Sequence, residues 1–150
     1  MSPYGWQILA LGTARPSPKG IRTAIAERSP HSEKKNFRLS AQAKDLAVDV
    51  INMTRKHIDN SARRIRDRIQ DETLNLLTDI NRANECRDAA ERLRQQEAAK
   101  GAAMNLAHLL TIANELGYIS LTSCNSLGSR AAGIHTALVA WINSDKTRQT

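Results

Sequence analysis

A chain of 150 residues is about one domain's worth of sequence, and an aromatic content of 3% argues against a strand-rich fold. With 41% apolar and 25% charged residues, a wholly disordered chain is excluded, and the core must be built from Leu, Ile, Val, Ala and Met. The formal net charge of +7 points to polyanions or acidic partners, and no apolar run approaches the ~20 residues that span a bilayer.

Residues 1–38 hold all four prolines, Pro3, Pro16, Pro18 and Pro30. Each proline interrupts a helix and removes an amide donor. Arg15, Lys19, Arg22, Arg28, Lys34, Lys35 and Arg38 face only Glu27 and Glu33. The stretch is expected to be a disordered basic tail. Tyr4 to Leu11 is apolar but short and lacks a positive flank, so it does not read as a secretory signal.

Residues 39–150 contain no proline and read as helix. Leu46, Val50, Met53 and His57 recur at helical spacing and predict a first helix over 39–57. Asp59-Asn60-Ser61 supplies a turn and a cap. Ile65, Ile69, Leu76, Ile80 and Ala83 form the stripe of a second helix over 61–83, with the next break expected at Asn84-Glu85. A third helix runs to about Leu116, with Leu93, Ala103, Leu106, Leu110 and Ala113 inward. Gly117 fits the left-handed position that ends a helix. Ser120 or Ser123 then caps a fourth helix, whose Leu127, Ala131, Ile134, Leu138 and Trp141 follow a 4-3-4-3 spacing and which ends near Ser144. Four amphipathic helices joined by short connections predict an all-α, antiparallel up-down four-helix bundle. Cys86 and Cys124 then fall at opposite ends of the bundle, too far apart to bridge, which predicts two free thiols and a reducing, cytoplasmic setting.

The densest basic cluster is Arg55, Lys56, Arg63, Arg64, Arg66 and Arg68, across the first turn. Arginine so early in a helix opposes the helix dipole, and a bound anion would offset that cost. Phosphate suits the arginine fork, so these six residues are the candidate nucleic-acid-binding set. Arg82, Arg87, Arg92 and Arg94 are nearly balanced by Glu85, Asp88 and Glu91 and read as a solvated face. His31, His57, His108 and His135 form no Glu-x-x-His or His-Glu-x-x-His pattern, and no Cys-x-x-Cys occurs. No nucleophile has a placed base. The chain therefore reads as a non-catalytic binding protein with no metal and no cofactor.

Several segments carry a resemblance. They are Arg63-Arg64-Ile65-Arg66-Asp67-Arg68-Ile69, Leu76 to Asn84, Leu109 to Ser120, and Gly133-Ile134 through Trp141-Ile142. Over about residues 43–145 the chain resembles the four-helix-bundle family that includes the accessory variability determinant (Avd) of diversity-generating retroelements and the proteins encoded in 23S rRNA intervening sequences. Where that family often has a Phe-Pro-type turn after the first helix, this chain has His57-Ile58-Asp59. The resemblance implies a basic homopentamer that associates with a retroelement reverse transcriptase and its template RNA during mutagenic cDNA synthesis. RNA or DNA is then the expected partner, and no membrane. The other branch implies a structural or adaptor bundle that binds another protein.

Overall fold

The structure, a computed structural model, describes residues 30–149, with side chains described from 37 to 148. What the sequence leads one to expect of residues 1–29 lies outside that range. Four helices follow one another: α1 (Pro30–His57), α2 (Arg63–Glu85), α3 (Ala89–Glu115) and α4 (Leu121–Gln149), with a 3-10 turn at Asn60–Ala62 leading into α2. No strand occurs among the described residues. The all-helical bundle expected from the apolar spacing is the fold observed.

α1 starts earlier than the expected residue 39. Pro30 takes its first position, where a missing amide donor costs nothing and the fixed φ suits a helix. The proline read as excluding helix from this stretch instead opens one. The second break also moves, from Asn84-Glu85 to Cys86–Asp88. Cys86 is extended, and the Asp88 side chain accepts from the Glu91 amide at 2.8 Å, capping α3. Asp88 and Glu91 are spaced as a capping box, a signal that marks this boundary without Gly or Pro.

The third break is where the sequence places it. Gly117 has φ +88°, its amide donates to the Asn114 carbonyl, and the Tyr118 amide donates to that of Ala113. This is a Schellman closure, which satisfies carbonyls at the end of α3. Ser120 Oγ then accepts from the Ser123 amide at 3.0 Å and caps α4.

Cross-helix hydrogen bonds fix the topology. Ser40 donates to Asn81, and Gln70 Nε2 donates to Thr54 Oγ1 at 2.9 Å, so α1 and α2 run antiparallel. α3 packs on α2 and on α4. Arg92 and Gln96 reach Asp145, and Arg130 of α4 reaches Asp49 of α1 at 2.7 Å, which closes the ring. The bundle is thus up-down, with the α1–α2 and α3–α4 connections at one end and the α2–α3 connection at the other.

Leu46 and Val50 of α1, Ile69, Leu76 and Ile80 of α2, Leu106 and Leu110 of α3, and Leu138 of α4 are fully enclosed in the core. Trp141 is buried with them. His57, assigned to the apolar stripe of α1, is instead exposed, because Ile58 in the following turn takes the core position. Cys86 and Cys124 are both free thiols, as their separation requires.

Candidate nucleic-acid interface

The last turn of α1 and the first turn of α2 meet at one end of the bundle, and the six candidate cations lie there. Asp59 organises the connection: its carboxylate accepts from the Ser61 amide at 2.9 Å and from the Ser61 hydroxyl. Those hydrogen bonds, with the nearby Arg66 charge, hold its carboxyl below the usual range. Ile58 is buried beneath the turn and anchors it to the core.

The six residues fall into distinct groups. Arg55 and Lys56 are exposed in the last turn of α1, where cations are favoured by the helix dipole. Arg55 Nη2 also donates to Asn52 Oδ1 at 2.9 Å. Arg63 and Arg64 open α2 on its solvent side and make no ion pair with the described residues. Their helix has no acidic residue in its first turn and no side-chain cap at Ala62. Two guanidinium groups thus stand unneutralised at the positive end of a helix, which is the electrostatic conflict an anion would relieve.

Arg66 and Arg68 are different. Arg66 Nη1 donates to Asn60 Oδ1 at 3.1 Å and to the Ile58 carbonyl at 3.4 Å, while its Nε pairs with Asp67 at 3.3 Å. Its side chain is only 20% exposed, so it braces the connection and faces solvent little. Arg68 pairs with the buried carboxylate of Glu72 at 2.9 Å and neutralises it, leaving its own stem and outer face exposed. The sequence, which shows charge but not partners, gives these two the same standing as Arg63 and Arg64.

The second basic group also divides. Arg82, Arg87 and Arg94 are exposed, and Arg94 pairs with Glu91. Arg92 leaves the solvated face: its Nε donates to Asp145 at 2.9 Å and its Nη1 to the Cys86 carbonyl at 2.9 Å. Asp145 also accepts from the buried Gln96 at 3.0 Å and from Arg148. This buried polar node ties the end of α4 to the start of α3 and to the α2–α3 connection. His57 and His108 are exposed and His135 is half-buried, while the His31 side chain lies outside the described residues. Among the described residues, no three of His, Cys, Asp and Glu come together to hold a metal ion, and no helix is long and apolar enough to cross a membrane.

An all-helical bundle with a basic corner is the class these observations define. The chain resembles the crystal structure of a protein of unknown function from the S23 ribosomal protein family of Bacteroides thetaiotaomicron, with a TM-score of 0.68 and 17% sequence identity over 73% of this chain and 98% of that one. At that identity the likeness is one of fold. No protein-family model matches the chain, and no curated protein does.

Proposed function

We propose that this protein is a non-catalytic, nucleic-acid-binding accessory protein whose contact surface is the corner where α1 meets α2. The observation that carries this reading is the pair Arg63 and Arg64, exposed and without an ion-pair partner among the described residues at the positive end of α2. Arg55 and Lys56 add two further exposed cations beside them. The net charge of +7 supplies the long-range attraction. The resemblance to the Avd family supports placing the chain beside a retroelement reverse transcriptase and its template RNA, while the likeness to an S23-family protein supports the bundle fold. In that setting the polymerase performs the chemistry and this chain contributes binding.

The test is RNA and DNA binding across a salt series for the wild type and for a variant carrying Arg55→Ala, Lys56→Ala, Arg63→Ala and Arg64→Ala. Each lost phosphate contact reduces the slope of log K against log salt by about 0.7–0.9. No binding at low salt, or the same slope in the variant, removes the proposal.

A second reading rests on the outward face of α3. Met104, Ile112 and Leu116 are large apolar side chains exposed to solvent there, and Leu121 is exposed just past the turn. These suit association with other copies, in line with the pentamer the resemblance implies, or an adaptor role toward another protein. Light scattering showing a monomer at micromolar concentration would contradict the pentamer. A protein partner retained after nuclease treatment would favour the adaptor.

A further inference from the structure

Resting on the nucleic-acid reading, we infer that this corner takes double-stranded nucleic acid, gripped by its phosphates and without regard to base sequence. Three observations lead there. Single strands are held chiefly by stacking bases on aromatic rings. Among the described residues Trp141 is buried and Tyr118 half-buried, while the exposed Phe37 lies about 27 Å along α1 from Arg55 at ~1.5 Å per residue. Among the described residues no Phe, Tyr or Trp ring is therefore offered beside the cations; the ring found there is the small imidazole of the exposed His57, a far smaller stacking face than an indole or phenol.

The amides near the corner are also engaged. A paired contact to adenine needs both ends of an Asn or Gln side chain. Asn52 Oδ1 accepts from Arg55, Asn60 Oδ1 accepts from Arg66, and Gln70 Nε2 donates to Thr54. Each has one end occupied, so a paired contact to a base would first have to displace that partner.

Arg63 and Arg64, the most available groups, are unbraced. Base readout by arginine requires a side chain held in one orientation by its neighbours. An unheld guanidinium instead follows charge, and a duplex presents about one phosphate every 1.7 Å along its axis. The surface is built to find phosphate density and has nothing fixed with which to inspect a groove.

The experiment is fluorescence anisotropy with the full chain and three probes of equal length: two duplexes of unrelated sequence and one unstructured oligothymidine strand. The duplexes are expected to bind within about twofold of each other at every salt concentration, and the single strand about fivefold more weakly at low salt. Four neutralised phosphates give a duplex slope of about −3.6. Arg63→Lys with Arg64→Lys should retain duplex binding within about twofold, since a phosphate contact needs charge while a paired base contact needs the fork. A single strand bound as tightly as duplex, a tenfold preference for one duplex, or loss of binding in the lysine variant with its circular dichroism unchanged would each overturn this inference and leave the broader proposal standing. Failure of all three probes to bind at low salt would overturn both.

Discussion

The Asp145 carboxylate of α4 accepts a hydrogen bond from Arg92 Nε of α3 at 2.9 Å, with the aspartate side chain 6% exposed. Gln96 and Arg148 complete its shell. Removing one partner of a buried ion pair strands the other, at about 3–5 kcal/mol. Asp145→Ala is therefore expected to lower stability by about 3 kcal/mol, towards the smaller end because Arg92 stays 23% exposed. Urea denaturation should show a lower midpoint with an unchanged slope.

Arg66 and the Arg63–Arg64 pair should separate stability from binding. Arg66→Ala removes the brace between α2 and the Ile58–Asn60 turn, and should cost about 1 kcal/mol while most nucleic-acid affinity survives. Arg63→Ala with Arg64→Ala should do the reverse. It removes cations from an unfavourable end of α2, so melting temperature holds or rises while affinity falls. Thermal denaturation and anisotropy on the same samples check both halves. Equal losses in both assays for both variants would defeat the distinction.

Gly117→Ala should destabilise by about 1–2 kcal/mol, the cost of a left-handed conformation for a residue with Cβ. A Cβ built there meets nothing within 4 Å, so backbone strain alone sets the cost. Gly128 has the same free space, but it sits within α4 without the positive φ, and Gly128→Ala should be neutral or stabilising. If both alanine variants melt alike, the Schellman closure is not holding the α3–α4 turn.

Asp79 carries a penalty that pH should reveal. Partial burial pushes its carboxyl up from the ordinary aspartate value of 3.8; the Arg82 charge opposes this and Glu72 adds to it. A carboxyl raised in the folded state binds its proton more tightly there than when unfolded. Its ionisation therefore destabilises above the raised value and costs nothing below 3.8. Asp79→Asn should raise the melting temperature at neutral pH, with the gain shrinking to nothing as pH falls through that window. A gain that persists unchanged in acid would point to a cause other than charge.

The helices were legible because apolar side chains at 4-3 spacing can close a bundle in few ways. The same spacing continues through polar residues, where hydropathy does not reveal it. After Leu127, Ala131, Ile134, Leu138 and Trp141 the next step is Asp145, which is buried, although the apolar pattern alone ends the helix near Ser144. Gln96 stands one step before Ala99 and Ala103 in α3, and Thr73 lies between Ile69 and Leu76 in α2; both are buried too. Thr73 donates its hydroxyl to the Ile69 carbonyl at 2.8 Å, and Gln96 donates its side-chain amide to the Asp145 carboxylate at 3.0 Å. Hydropathy marks such residues as outward, whereas their place in the repeat marks them as inward. The corner was legible for the complementary reason that net charge is additive along the sequence. Which arginine is free and which is a brace depends on Asn60, Ile58 and Glu72, and spacing alone does not give those contacts.

Gln96 and Asp145 together remove an ambiguity that an alkane-like interior would leave open. Helices faced with Leu and Ala can slide past one another by seven residues and still meet similar surfaces. Such a slide would set Ala89 or Ala103 where Gln96 now stands, and neither has a donor for the aspartate. One amide and one carboxylate thus act as a key that favours one alignment of α3 with α4, and a seven-residue slide would take the α3 partners away from a buried carboxylate.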